Sequence, residues 1–482
     1  MKTSLPITLL SIIGLCMTTS QTTAQETLDR TKRPGPGPLP SITLPSIQKA
    51  TLKNGLSLWL VEQHNLPQVT CNLVILSGTG DDRVEMPGVA DMTARMLDEG
   101  TSTMDALTIA DKLETIGASL RVYAGVDATS AMLTTLTKHL DEALAVYGAA
   151  VTDPVFPEKE VSRLKQQRLT EILQQKDRAA ITASLAFNRI IYGPMHPRGN
   201  DQGGTDKSIR AMTRDDIASF YTLHYRPARS VLILVGDMTL PDAVQKFEKV
   251  FERWQPATVP AHLSNPIPLP AERIVYLIDK PAAPQTEIRI GYPALARSTP
   301  DYFPVLVMNR ILGGQFSSRI NLNLRERRGL TYGARSEFQF SKEPGPFVAS
   351  GGFVSTKSDT AIEQLLFEID AMHRLGMTAE ELAFAKKGIT GGFALSFETP
   401  SQIAGALQSI VVYGLPEDYY QNYITNVDRV TLDDVRRVAA KYLDSSKMAI
   451  VAVGDLASIR QGIEKLHLGT TVLCDAQGDR LP

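Results

Sequence analysis

The sequence predicts two homologous domains, each an α/β or α+β unit with helices packed on a sheet. Three observations carry this. Short strand-like runs alternate with helical stretches of roughly ten to twenty residues along the whole chain. A proline-rich stretch, Pro256 to Pro270, interrupts that pattern near the middle. The segment TRDDIASFYTLHYRPARSVLILVGDM (213–238) also aligns without a gap on TLDDVRRVAAKYLDSSKMAIVAVGDL (431–456).

In both copies a Thr followed closely by two acidic residues opens an amphipathic helix. Thr213 and Thr431 are the N-caps, and Asp215, Asp216, Asp433 and Asp434 match the helix dipole. An apolar strand then ends in Gly236-Asp237 or Gly454-Asp455. A second pair, FPEKEVSRLK (156–165) and MTAEELAFAK (377–386), recurs at an offset of 221 residues, against 218 for the first. Two pairs in the same order at nearly the same spacing argue for a duplicated domain.

From the start of the chain, Lys2, the apolar run Leu5 to Met17 and the small polar residues up to Ala24 have the architecture of an export leader, residues 1–24. The run is shorter than the roughly 20 residues a spanning helix needs, so no membrane span is expected once it is removed. The expected location is periplasmic or secreted. Residues 25–45 form a proline-rich arm. The first domain covers 46–256 and begins with two strands around the Asn54-Gly55 turn. A linker (257–272), a second domain (273–470) and a tail (471–482) follow.

Lys and Arg are spread along a chain of net charge −2, which gives no nucleic-acid surface. Of three cysteines, Cys16 leaves with the leader, and Cys71 and Cys474 are open to pairing or to separate burial. There is no Cys/His cluster for a structural zinc. A serine-hydrolase elbow and a phosphate loop are absent as well. Gly78 to Asp82 and Ser350 to Gly352 read as turns or strand ends, and His196 before Pro197 as a structural histidine.

None of the seven histidines lies three to five residues from another, so no helix turns two imidazoles to one side for a catalytic zinc. The segment Pro87-Gly88-Val89-Ala90-Asp91-Met92-Thr93-Ala94-Arg95-Met96-Leu97-Asp98-Glu99-Gly100-Thr101 predicts a helix with Val89, Met92 and Met96 on its buried stripe. Here the chain resembles the pitrilysin/insulinase/mitochondrial-processing-peptidase family of zinc peptidases. In that family the corresponding helix carries H-x-x-E-H, two zinc ligands and a general base. Pro87, Gly88, Ala90, Gly100 and Thr101 keep the frame. Asp91 and Arg95 stand at the two His positions and Ala94 at that of the base. The family's third ligand falls on or near Glu171, the one ligand-like position retained. Asp91 and Arg95, one turn apart, suit an ion pair, and Arg95 is expected to take the place of the metal beside Glu171.

A second stretch, Leu312-Gly313-Gly314-Gln315-Phe316-Ser317-Ser318-Arg319 through Leu324-Arg325-Glu326-Arg327-Arg328-Gly329-Leu330-Thr331-Tyr332, resembles the family's C-terminal substrate-contact motif. That motif's Arg and Tyr, seven residues apart, fall on Arg325 and Tyr332. A guanidinium and a phenol suit a carbonyl oxygen that gains charge.

The resemblance spans about Leu52 to Gly469. It implies an α+β fold of two homologous domains, each a mixed, largely antiparallel sheet with flanking helices, enclosing a cleft. It implies a chain without its own zinc or cofactor, inactive alone. That chain would bind peptides and complete a zinc-bearing subunit of the same family in a heterodimer through Arg325 and Tyr332. Two other functions fit the sequence: a structural or binding module with no peptidase role, and an enzyme with a different site.

Overall fold

The computed structural model describes residue 31 and residues 46–259, 266–268 and 270–482. The leader and nearly all of the arm read from the sequence lie outside the described residues. The first half contains β1 (Gln48–Thr51), β2 (Ser57–Glu62), β3 (Gln68–Ile75), α1 (Val89–Arg95), α2 (Ala106–Thr115), β4 (Ser119–Ala124), β5 (Thr129–Leu136), α3 (Leu140–Thr152), α4 (Glu158–Lys176), α5 (Ala179–Tyr192), α6 (Asp206–Ala211), α7 (Arg214–His224), β6 (Ser230–Gly236) and α8 (Leu240–Val250). The second contains β7 (Ile274–Asp279), β8 (Gln285–Leu295), α9 (Tyr302–Leu312), α10 (Arg319–Asn321), β9 (Ala334–Phe338), β10 (Gly345–Val354), α11 (Ser358–Leu375), α12 (Ala379–Phe393), α13 (Pro400–Tyr413), α14 (Tyr423–Arg429), α15 (Leu432–Tyr442), β11 (Ala449–Gly454), α16 (Leu456–Glu464) and β12 (Thr470–Cys474).

The strands form two six-stranded sheets, ordered β1-β2-β6-β3-β5-β4 and β12-β7-β11-β8-β10-β9. The duplication is visible in the pairing. β2 and β6 run parallel, as do β7 and β11, and the three inner and outer pairs that follow are antiparallel in both sheets. The halves differ at one edge. β1 is antiparallel to β2 through the Asn54-Gly55 turn, where Gly55 sits at φ 87. At the matching edge of the second sheet the chain end fills the position as β12, parallel to β7. The residues read as a tail from 471 therefore belong in part to the second sheet.

Local signals set the helix starts. Thr213 and Thr431 cap α7 and α15, each accepting from the backbone N–H of Asp216 or Asp434, while that Asp carboxylate accepts from the Thr backbone N–H. Such caps contribute about 1 kcal/mol apiece. The helix predicted over 87–100 is shorter, ending at Arg95. Val89, Met92 and Met96 are buried nonetheless.

Each sheet is covered on one face by helices of its own half. Leu58, Leu60 and Leu73 pack with Met92 and Phe247 in the first core, and Leu277, Ile288 and Ile290 with Val305 and Val435 in the second. The other face is covered by a helix from the opposite half. α5 sets Ala183, Ala186 and Phe187 on Tyr276, Ile278 and Val451 of the second sheet. α13 sets Ile403, Leu407 and Ile410 on Val61, Ile233 and Val235 of the first. This exchange explains why β6 and β11 are apolar without alternation: both of their faces are buried.

Cys71 and Cys474 are buried and unpaired, one in each sheet. Among the described residues no helix is long and apolar enough to cross a membrane.

Candidate functional site

The short helix α1 is held at its start by Asp82, a residue the sequence reading treated only as part of a turn. Its buried carboxylate accepts from the N–H of Gly88 (2.6 Å) and of Ala90 (2.9 Å). Burial pushes this carboxyl well above its ordinary range, against the two backbone donors. Gly88, at φ 90, lies so close to Gly204 that a Cβ would meet its Cα at 2.5 Å.

At the last residue of α1, Arg95 Nε donates to Asp91 Oδ2 at 2.7 Å, and Arg95 Nη1 lies 3.5 Å from Glu171 Oε1 on α4. The arginine thus bridges the two carboxylates, with a third of its side chain exposed rather than fully enclosed. Burial raises the Asp91 carboxyl, and Arg95 pulls it back. Glu171 is shared. Its Oε2 is 3.4 Å from Arg168 Nη1, and its Oε1 accepts from the Gln167 amide. Arg168, buried, continues to Asp201 Oδ2 (2.7 Å) and the Gly203 carbonyl (2.8 Å). The result is an alternating row, Asp91–Arg95–Glu171–Arg168–Asp201. Arg168 and Asp201 were not legible in the sequence, because Asp201 reaches the site from a loop that no local pattern ties to α4.

This donor set does not fit the family's zinc. Ala94, fully buried, offers neither base nor ligand. There is no imidazole in the row, and both acidic positions nearest the helix are already occupied by guanidiniums. Among the described residues no group of three or more His, Cys, Asp or Glu could hold a metal ion.

Arg325 and Tyr332 sit elsewhere. Arg325 lies in a π-helical turn, Leu322–Arg327, that continues α10. Leu324 and Leu330 are buried, and the chain reverses at Gly329 (φ 64). Asn321 ties the two ends of the segment together, donating to the Phe316 carbonyl (2.7 Å) and accepting from the Ala334 N–H (3.2 Å). Thr331 donates to the Gly352 carbonyl (2.7 Å), which leaves Tyr332 90% exposed. The Arg325 guanidinium stands 4.5 Å above the Phe316 ring, and its Nε is 3.5 Å from Glu326. Arg325, Tyr332 and Phe316 line one cleft of about 700 Å³ on the second half, to which the first half contributes Ala180 at the start of α5. No residue of α1 lines it. The structure therefore brings Asp91, Arg95 and Glu171 together, and Arg325 with Tyr332, but not the two sets with each other.

His196 is buried where the halves meet. Its Nδ1 accepts from the Arg198 N–H (3.1 Å), and its Nε2 is 3.3 Å from Glu343.

Residues 58–190 match the family model described as insulinase (peptidase family M16), and residues 211–389 match the one described as peptidase M16 inactive domain. The chain is similar to the uncharacterized zinc protease YmxG of Bacillus subtilis, 24% identical over 73% of this chain and 85% of that protein. It is similar also to the non-peptidase homolog YmxG of Helicobacter pylori, 23% identical over 82% of this chain and 90% of that protein. A solved peptidase M16 inactive domain from Pseudomonas fluorescens superposes with a TM-score of 0.79 at 29% identity, covering 85% of this chain and 98% of that one. The periplasmic protease PqqL of Escherichia coli shares the fold, with a TM-score of 0.71 at 16% identity over 87% of this chain and 48% of its own.

Proposed function

Because this chain belongs to peptidase family M16, the insulinase family, we propose that it is the non-catalytic subunit of a periplasmic M16 zinc metallopeptidase. It binds peptides and completes the active site of a zinc-bearing partner of the same family. The observation that carries this reading is the separation of the two residue sets. The α1/α4 location lacks base and imidazoles and is filled by a guanidinium, whereas Arg325 and Tyr332 remain accessible in their own cleft. An H. pylori relative bearing the name non-peptidase homolog is in keeping with it.

In this role the Arg325 fork and the Tyr332 hydroxyl donate to a peptide carbonyl oxygen as it gains negative charge; the partner's H-x-x-E-H residues would hold the zinc, which would supply Lewis-acid and water-activating chemistry. Phe316 under the guanidinium limits the conformations Arg325 samples before substrate arrives. The partner holds the zinc, and this chain adds donors only.

The test is peptide hydrolysis with zinc analysis on this chain alone and mixed with a family member that retains H-x-x-E-H. The chain alone is expected to be inert, and the mixture to cleave. Arg325→Ala or Tyr332→Ala is expected to lower the rate of the mixture about 100- to 1,000-fold, the loss typical of one oxyanion donor. Cleavage by the chain alone would overturn the proposal. Failure of the mixture to cleave would move the structural-module function ahead.

A further inference from the structure

The cleft that holds Arg325 and Tyr332 has a charge pattern of its own. It lies on the face of the second sheet that α5 covers, just beyond the start of that helix at Ala180. In the strand register Ser350 of β10 is opposite Arg289 of β8 on one side and Arg335 of β9 on the other. The three side chains therefore form one row on one face, with a small residue between two arginines whose backbones are roughly 10 Å apart. The two arginines are not equivalent. Arg289 is largely buried, pairs with Glu287 at 3.0 Å and donates to the Ala180 carbonyl (3.2 Å). Arg335 is exposed and has no ion pair or side-chain hydrogen bond among the described residues. With the Arg289–Glu287 pair set aside, Arg325 has Glu326 beside it at 3.5 Å, and the remaining charged groups of the lining are Arg335 and Glu337, whose carboxylate already accepts from the Gln339 amide at 2.7 Å.

We propose that this cleft selects peptides carrying an acidic side chain, which Arg335 receives while Arg325 and Tyr332 hold the peptide backbone. The proposal rests on the peptide-binding function given above and assigns its substrate class. Ser350 and Gly351 form a low floor between the arginines, so an extended chain can approach the sheet without meeting a large side chain. An Asp or Glu carboxylate projecting toward β9 then finds a guanidinium with no competing protein partner.

The experiment is fluorescence anisotropy on the full chain at low ionic strength, with labelled extended peptides identical except for Glu or Gln at alternate positions. The Glu peptide is expected to bind about five-fold more tightly, the affinity ratio of roughly 1 kcal/mol that an exposed ion pair supplies at best. Arg335→Gln should abolish that difference. Arg327→Gln, which removes the same charge from an exposed residue outside the cleft, should preserve it. Unchanged melting temperatures establish that both variants fold. Equal binding of the two peptides to the unaltered chain, or equal losses in the two variants, would overturn the acidic preference while leaving peptide binding intact. Absence of binding by any peptide would remove the preference together with the peptide-binding function.

Discussion

Arg95 Nη1 stands 3.5 Å from Glu171 Oε1 while Arg95 Nε holds Asp91 at 2.7 Å. One guanidinium thus bridges carboxylates on two helices, α1 and α4. Replacing it should expose the cost of the carboxylates it pairs. Arg95→Ala is expected to destabilise the protein by about 1 kcal/mol near neutral pH, since the group is partly solvated. The burial-raised carboxyl of Asp91 sets the sign of the pH effect. At acid pH, where Asp91 takes up its proton, the loss should shrink. Urea unfolding of both proteins near pH 7 and about pH 4 checks this.

The same geometry predicts that three substitutions would create a zinc site between α1 and α4. Asp91→His, Ala94→Glu and Arg95→His together would remove the competing guanidinium and restore H-x-x-E-H beside Glu171. The triple variant is expected to bind zinc and the unaltered chain not to, as measured by metal analysis after dialysis. Affinity should remain below that of a complete site, because Arg168 still draws on Glu171 at 3.4 Å.

Asp98 offers a separate pH test. Burial pushes its carboxyl up to about 6, with a smaller contribution from Glu99. An unfolded Asp titrates near 4, so the folded state holds the extra proton and stability declines as pH rises from about 4 through 6. Asp98→Asn should therefore stabilise by about 1–2 kcal/mol near pH 7.5 and by nothing measurable near pH 4. Denaturant midpoints at the two pH values decide it.

The exchange of α5 and α13 predicts that the halves depend on one another. Leu407→Ala, on α13, is expected to cost about 2–4 kcal/mol through the cavity left on the first sheet. Residues 46–256 produced alone should fail to give a soluble, cooperatively unfolding protein, because Val61, Ile233 and Val235 would lose their cover. Guanidinium unfolding of the full chain should show a single transition by fluorescence and circular dichroism.

Much of this protein was written in short-range patterns. The Thr-led caps, the Asn54-Gly55 hairpin, the paired segments around 213 and 431 and the altered residues at 91, 94 and 95 each depend on neighbours within a turn or a strand. Local sequence therefore determined two homologous α+β halves, where most of their elements start, and which positions carry Arg325 and Tyr332. Tertiary structure decided the rest. The apolar faces of α5 and α13 do not say which sheet they cover, and that choice came from long-range burial of Ile233 and Val451. The strand at the chain end has no local signal of its own, because its parallel edge partner, β7, meets it only once the sheet exists. Arg168 and Asp201 reach Glu171 from separate parts of the chain, so the ionic row around Arg95 arises from packing alone. Charges and apolar surfaces far apart in sequence interact only after the backbone has brought them within a few ångströms, and no local period records that meeting.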